Sequence, residues 1–221
     1  DAFGAWIAVS HLRFGPIEAE DRGFALAFWT ASRGATPKSL GTLIRDEDPI
    51  AASAAAYADM SIAARGYYAM EFLLYDDTIS TTGDVNYRCQ LTQTVATDIG
   101  NLTAAIAEDW QDYADLLKEP ASDSLYRTTT EATQELFKGL TTGLQLTSDA
   151  RLGRPLGTFD NPRPRRAEAW RAGRSAINVG VALASLRDLG QRLSAIDPAL
   201  ASEVDITFNR AIEQLNALDD P

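Results

Sequence analysis

Apolar residues recur every three or four positions along several stretches of the chain, which is the spacing of one face of a helix. In residues 91–117 these positions are Leu91, Val95, Ile99, Leu102, Ile106, Trp110, Tyr113 and Leu117. The acidic residues of this stretch, Asp98 among them, are placed largely off that face. Residues 198–218 repeat the pattern after Asp197, a capping residue, and Pro198, which suits a first helical position. Both runs predict long amphipathic helices.

Three further segments are predicted to be helical. Thr128 and Glu131 have the spacing of a capping box at the start of a helix. Residues 164–194 carry apolar residues at helical spacing from position 177 onward, and residues 53–75 end in an apolar stretch. No segment shows the alternation of a strand bounded by hairpin turns. The chain is therefore predicted to be all-α.

Long helices that each bury one apolar stripe pack as bundles. Residues 119–127 contain proline, serine and aspartate and interrupt the helical pattern, which is typical of a linker. We therefore predict an N-terminal helical bundle of residues 1–118, a linker of residues 119–127, and a C-terminal bundle of residues 128–221.

Composition excludes several classes of function. The chain has 20 basic and 31 acidic residues and a net charge of −11, which argues against nucleic acid or an anionic membrane as the main partner. Its one cysteine excludes an internal disulfide, and its one histidine, His11, excludes sites that need two. Its uncharged apolar stretches fall short of the ~20 residues of a membrane-spanning helix, so no transmembrane segment is expected.

The segment of residues 151–174 has the opposite charge to the rest of the chain. It contains seven arginines and two acidic residues, a net charge of +5, whereas the other residues sum to −16. Two explanations stay open. The guanidinium groups either tie an ordered loop to carboxylates and helix carbonyls, or they bind an anionic ligand.

Three segments resemble the imelysin-like family of bacterial helical proteins. They are residues 10–18 (SHLRFGPIE), residues 65–75 (RGYYAMEFLLY), and residues 151–157 (RLGRPLG) followed by 168–175 (EAWRAGRS). The resemblance implies two antiparallel helical-bundle domains side by side with a cleft between them. It also implies a location in the periplasm or at the outer membrane, often as a lipoprotein, and a link to iron uptake. Because the chain begins at Asp1 rather than at a methionine, a lipid anchor would have been on a removed N-terminal segment.

The family's signature, GxHxxE, is represented here by Gly66, Tyr68 and Glu71 and reads GxYxxE. Tyr68 and Glu71 are three residues apart, so a helix would place both on one face. A histidine would suit zinc, copper or iron(II), whereas a phenolate suits iron(III). The alternatives for Tyr68 are a structural role, a ligand contact without metal, and a metal ligand. Glu71 is predicted to be at least half buried, as a partner of Arg13 or of an arginine in residues 151–174, or as a site carboxylate.

The resulting candidate ligand-binding residues are Gly66, Tyr68, Glu71, His11, Arg13, Arg154 and Arg171. Tyr68 and Glu71 are the candidate metal ligands, and no catalytic residue is assigned. The resemblance implies a cell-envelope protein that binds an unidentified small ligand, iron or another metal ion in its cleft. A metal-dependent peptidase is an alternative, because some family members are classed as peptidases, but the missing motif histidine argues against it. A scaffold whose cleft receives a partner segment is a third.

Overall fold

The structure, a computed structural model, describes residues 2–29 and 34–218, and helices form nearly all of its regular structure. The α-helices are α1 (Ala2–Val9), α2 (Arg22–Leu26), α3 (Ala35–Asp46), α4 (Ala54–Tyr57), α5 (Gly66–Tyr75), α6 (Val85–Lys118), α7 (Thr129–Gln145), α8 (Arg154–Leu156), α9 (Ser175–Ser194) and α10 (Pro198–Asn216). A π-helix, Leu146–Gly153, joins α7 to α8. No strand occurs in the described residues, and the predicted all-α fold is confirmed. No helix in these two ranges combines the length and apolarity that crossing a membrane requires.

The chain forms two compact units that differ from the predicted bundles in their boundaries. The terminal unit comprises residues 1–15 and 112–221, and the central unit comprises residues 16–111. Helix α1 joins the terminal unit because it packs against α9. The predicted linker, residues 119–127, lies inside the terminal unit, and the chain passes from one unit to the other within α6.

Two helix starts have the caps that the sequence predicts. The Asp197 side chain accepts hydrogen bonds from the backbone N–H groups of residues 199 and 200 at the start of α10. The Thr128 hydroxyl accepts from the Glu131 N–H at 3.2 Å, and the Glu131 carboxylate accepts from the Arg127 N–H at 2.7 Å. These bonds satisfy backbone donors that a helix leaves free at its first turn.

The core of the central unit contains an ion pair that the sequence analysis missed. Asp98 is only 2% exposed, so its placement off the buried face of α6 was wrong. Arg65 donates to both of its carboxylate oxygens, from Nε at 2.9 Å and from Nη2 at 2.7 Å. The remaining guanidinium nitrogen, Nη1, donates to the Ala58 carbonyl at 2.6 Å. This bidentate pair joins the start of α5 to the middle of α6.

The segment before α5 is broken where a continuous helix over residues 53–75 was predicted. Ser53 and Ser61 each cap a short new turn, and Gly66 begins α5 with φ +74°. A Cβ at Gly66 would lie 2.2 Å from the Leu26 carbonyl oxygen and 2.3 Å from that of Ala25. Glycine is therefore required here by both its backbone conformation and the close approach of α2.

The buried face of α9 in the terminal unit combines small, polar and apolar residues. Asn178, Ala182, Leu186, Gly190 and Ser194 are buried at four-residue spacing, whereas the apolar residue at position 177 is half exposed. This face lets α1, α7 and α10 approach α9 closely. The helix predicted over residues 164–194 is present only from Ser175 to Ser194, because residues 164–166 form a 3-10 turn and a turn region follows them.

Replacing Asp98 with alanine is expected to lower the free energy of unfolding by about 3–5 kcal/mol, because Arg65 would stay buried without its counter-charge. Asp109→Ala on the same helix is the matched control. Asp109 pairs with Arg22 but is half exposed, and its loss should cost at most about 1 kcal/mol. Urea unfolding measures both variants, and equal losses would contradict the assigned role of the buried pair.

Gly66→Ala is expected to destabilise the central unit, because the new methyl group would overlap two backbone carbonyls. Gly100→Ala provides the control, since a Cβ at Gly100 in α6 meets nothing within 4 Å. That substitution should raise the melting temperature, because alanine is favoured over glycine in a helix by about 1 kcal/mol. Thermal unfolding that ranks the two variants in the opposite order would refute this assignment.

Candidate functional site

Helix α5 carries the three motif positions, and it is buried on most of its circumference. Tyr68 is 5% exposed and Glu71 is 7% exposed, one helical turn apart. Tyr67, Ala69 and Leu73 of the same helix are buried as well. Carboxylates are rare on helices that are buried on nearly all sides. Glu71 is therefore the unusual side chain of α5.

Tyr68 lies beside an aromatic residue that the sequence analysis did not include among the candidates. The rings of Tyr68 and Trp29 have centroids 6.5 Å apart and an interplanar angle of 30°. A tilted aromatic pair of this kind holds both rings in place. This contact contributes to the packing of the phenol ring in the central unit.

Glu71 is buried, as predicted. A carboxylate removed from water is stable only when charges or hydrogen-bond donors replace its hydration. The predicted choice between an arginine pair and a site carboxylate stays open.

The packing around Gly66 explains why this position has no side chain. The group that approaches it is the backbone of residues 25 and 26 at the end of α2. The absence of a side chain at Gly66 therefore allows the close approach of another helix.

The other candidate residues belong to the terminal unit. His11 is buried there, and Arg13, Arg154 and Arg171 are half buried. The motif residues of α5 belong to the central unit, so three of the seven candidates lie in the central unit and four lie in the terminal unit.

A buried polar network organises the arginine-rich segment of the terminal unit. Arg151 and Glu168 are each 4% exposed, and Arg151 Nε donates to Glu168 Oε2 at 2.8 Å. Arg151 Nη2 also donates to the Ser10 hydroxyl at 3.1 Å, and Asn178 Nδ2 donates to Glu168 Oε2 at 3.3 Å. Arg151 therefore ties the segment together, as the first of the two predicted explanations has it.

The members of this network all lie in or next to segments that carry the family resemblance, but the sequence analysis did not pair them. Glu168 is one of only two acids among residues 151–174, and it follows Arg151 by 17 positions. The scarcity of acids in a segment rich in arginine was the available signal.

His11 lies in the interior of the terminal unit, 6% exposed, and among the described residues its Nδ1 has no hydrogen-bond partner. Burial lowers the pKa of His11, and the positive charge of Arg151 lowers the pKa further, while a backbone hydrogen bond to Ala8 partly opposes both effects. These effects favour the neutral imidazole. A Cβ on Gly143 of α7 would come within 2.6 Å of the His11 Cβ, so this helix packs tightly over it.

Arginine side chains also stack on an indole in this segment. The guanidinium carbon of Arg171 lies 4.4 Å from the Trp170 ring centroid, and that of Arg165 lies 5.7 Å from it. Cation–π contacts of this kind stabilise a guanidinium without neutralising its charge.

An open hollow of about 560 Å³ in the terminal unit was not predicted. It contains two phenol groups whose oxygens are 2.5 Å apart, those of Tyr113 and Tyr126. Burial raises the pKa of Tyr126, and its hydrogen bond to Tyr113 adds to this. The lining is otherwise made of Leu125, Glu131, Gln134, Glu135 and Lys138.

Tyr68 and Glu71 both carry oxygen atoms that suit a hard metal ion. Within residues 2–29 and 34–218, no three histidine, cysteine, aspartate or glutamate side chains are grouped closely enough to hold a metal ion. The described carboxylates and imidazole thus do not form a closed metal site by themselves. Any metal at α5 would depend on the phenol and on ligands that it brings with it.

We expect the stability of the protein to fall as the pH is lowered from 7 toward 5. The folded pKa of His11 lies below its unfolded value of about 6.5, so unfolded chains take up a proton that folded chains exclude. The slope for one proton does not exceed about 1.4 kcal/mol per pH unit. Since His11 is the sole histidine, its NMR resonances report the pKa directly, and His11→Gln should flatten the slope. A folded pKa above 6.5 would contradict this.

Comparison with known proteins identifies one family that this chain matches. The family model described as Imelysin matches residues 1–221, the whole chain. An imelysin-like protein from Psychrobacter arcticum 273-4 has a similar fold, with a TM-score of 0.79 and 20% sequence identity. The match covers 98% of this chain and 67% of that one. No curated protein sequence matched significantly.

The structural match, at this identity, concerns the fold alone. The family match extends over both units and includes the helix with the GxYxxE residues and the arginine-rich segment. On this ground the chain belongs to the imelysin family.

Proposed function

We propose that this protein is a ligand-binding protein of the bacterial cell envelope that takes up chelated iron(III) through Tyr68 and Glu71. The observation that carries the proposal is a phenol and a carboxylate buried one turn apart on the same short helix, at the positions of the family's motif. The two side chains share one face of the helix, so a ligand bound at this face contacts both groups at once.

The donor chemistry supports iron(III) as the cargo. A phenolate and a carboxylate are hard, anionic oxygen donors, which match a small cation of high charge better than zinc or copper(I). Tyrosine also ligates iron in the haem of catalase. Replacing the motif histidine with Tyr68 exchanges a donor suited to zinc and iron(II) for one suited to iron(III).

The number of donors supports a chelate rather than a bare ion. Tyr68 and Glu71 fill two coordination positions, or three if the carboxylate is bidentate. An octahedral ion would need its remaining ligands from elsewhere, and a small organic chelator supplies them. The proposed ligand is therefore an iron(III) complex with exchangeable positions, for which iron(III) citrate is a convenient probe.

Membership of the imelysin family supports a location in the periplasm or at the outer membrane. A lipid anchor on a segment preceding Asp1 belongs to the same proposal. The chain is not proposed to be a peptidase, because the motif histidine is replaced and one histidine remains in the whole sequence.

Calorimetric titration with iron(III) citrate tests the proposal, together with the visible absorption band that an iron(III)–phenolate bond produces. Wild type should bind and develop the band. Tyr68→Phe should lose the band, and Glu71→Gln should bind at least tenfold more weakly. Tyr67→Phe is the matched control, because Tyr67 is the adjacent buried tyrosine of α5 and should keep both signals.

Two results would reject the proposed function. One is the absence of binding heat and of the band in folded wild-type protein. The other is a band that survives in Tyr68→Phe. Cleavage of a protein substrate that stops on addition of a chelator and in Glu71→Gln would instead support the peptidase alternative, and zinc and copper(II) titrations identify the metal in that case.

A further inference from the structure

An exposed phenylalanine stands at the tip of a tight turn in the terminal unit. Phe159 is 102% exposed, and Leu156 nearby in the chain is 68% exposed. The turn is closed by Thr158 and Asn161, whose backbones exchange hydrogen bonds of 2.9 and 3.3 Å. Phe159 occupies the first of the two residues between them. A large apolar side chain with full exposure calls for a physical explanation.

The backbone around this turn is fixed by several contacts. Gly157 has φ +61°, and a Cβ there would lie 2.4 Å from the Asn161 carbonyl oxygen. The Arg163 N–H donates to the Pro155 carbonyl at 2.7 Å, and the Gly157 N–H donates to the Gly153 carbonyl at 3.1 Å. The turn therefore presents Phe159 outward in a defined position.

Positively charged residues follow the turn closely in the chain. Arg163, Arg165 and Arg166 are all exposed, and Asp160 is the sole acid among residues 152–166. In the described part of the chain these three arginines form no ion pair. Arg165 instead stacks on Trp170, a contact that leaves its charge available.

We propose that this surface docks on an anionic phospholipid membrane. The surface, here called the Phe159 tip, consists of Leu156, Phe159, Arg163, Arg165 and Arg166. Phe159 and Leu156 enter the headgroup region, and the guanidinium groups contact lipid phosphates. Apolar side chains at the boundary of the acyl chains, with basic groups at the level of the phosphates, are the usual arrangement of membrane-surface segments.

The shape of the tip favours a lipid surface over a protein partner. Phe159 projects from a turn, so a protein partner would need a preformed pocket to receive the ring. A bilayer, in contrast, can accommodate a projecting apolar group at any point on its surface. An acidic protein segment would satisfy the arginines but not the fully exposed ring. This proposal does not depend on the iron proposal, since it uses none of the α5 residues.

The net charge of −11 does not prevent such docking, because charges are screened over about 8 Å at physiological ionic strength. Arginines within that distance of the membrane are attracted to its phosphates, while the repulsion of acidic residues farther away is largely screened. The protein would therefore approach with the Phe159 tip first. The expectation from composition, that an anionic membrane is not the main partner, refers to the average charge and not to this surface.

Flotation of the full chain with phosphatidylglycerol/phosphatidylcholine vesicles tests the proposal, with phosphatidylcholine vesicles for comparison. Wild type should bind the anionic vesicles, and binding should weaken with added salt. Arg163→Gln with Arg166→Gln should reduce partitioning by roughly tenfold or more. Phe159→Ser should reduce it by about five- to tenfold. Arg165 is left unchanged because it packs on Trp170.

Matched substitutions elsewhere in the terminal unit serve as controls. Ile196 is 97% exposed and Arg210 of α10 is exposed, and neither belongs to the Phe159 tip. Ile196→Ser and Arg210→Gln should leave vesicle binding unchanged, and circular dichroism should show all variants folded. Equal binding by tip and control variants would overturn the proposal. So would no binding of wild type to anionic vesicles, or binding to poly-glutamate with none to vesicles, which would indicate an acidic protein partner.

Discussion

A charge removed from water must be met by an opposite charge or by hydrogen-bond donors, and the interior of each unit contains an ion pair that meets this requirement. Arg65 and Asp98 meet in the central unit with two short hydrogen bonds, and Arg151 and Glu168 meet in the terminal unit. Such pairs add little net stability compared with an apolar core. Removing one partner, however, leaves the other buried without a counter-charge. Each pair therefore specifies which segments must come together, more than it stabilises them.

Local chemistry was predictable from the sequence where it involves neighbouring residues. The caps at Thr128 and Asp197 satisfy donors two or three residues away, so the sequence contains the whole interaction. The pair of Arg65 and Asp98 spans 33 positions and was missed. Asp98 does lie at helical spacing from the buried residue 95, but a carboxylate on an apolar face is recognisable as buried only once its distant partner is known.

The candidate site was also predicted where it depends on neighbouring residues and missed where it depends on distant ones. The motif spacing placed Tyr68 and Glu71 on one turn of a helix, and the burial expected for Glu71 is observed. Gly66 serves the packing of α2, a tertiary contact that no local pattern reveals. On α9 the small or polar residues Asn178, Gly190 and Ser194 are buried beside the apolar Val179 and Leu186, because small side chains allow the neighbouring helices to pack closely.

The arginine-rich segment uses one residue type for two different physical purposes. Arg151 is buried and neutralised by Glu168, so it contributes a fixed contact inside the terminal unit and no charge to its surface. Arg163 and Arg166 are exposed and contribute charge to the surface instead. The buried pair anchors the base of the segment, and glycine and backbone hydrogen bonds shape its tip around Phe159. Because the internal pair is satisfied, the positive charge of the tip remains available for an external partner.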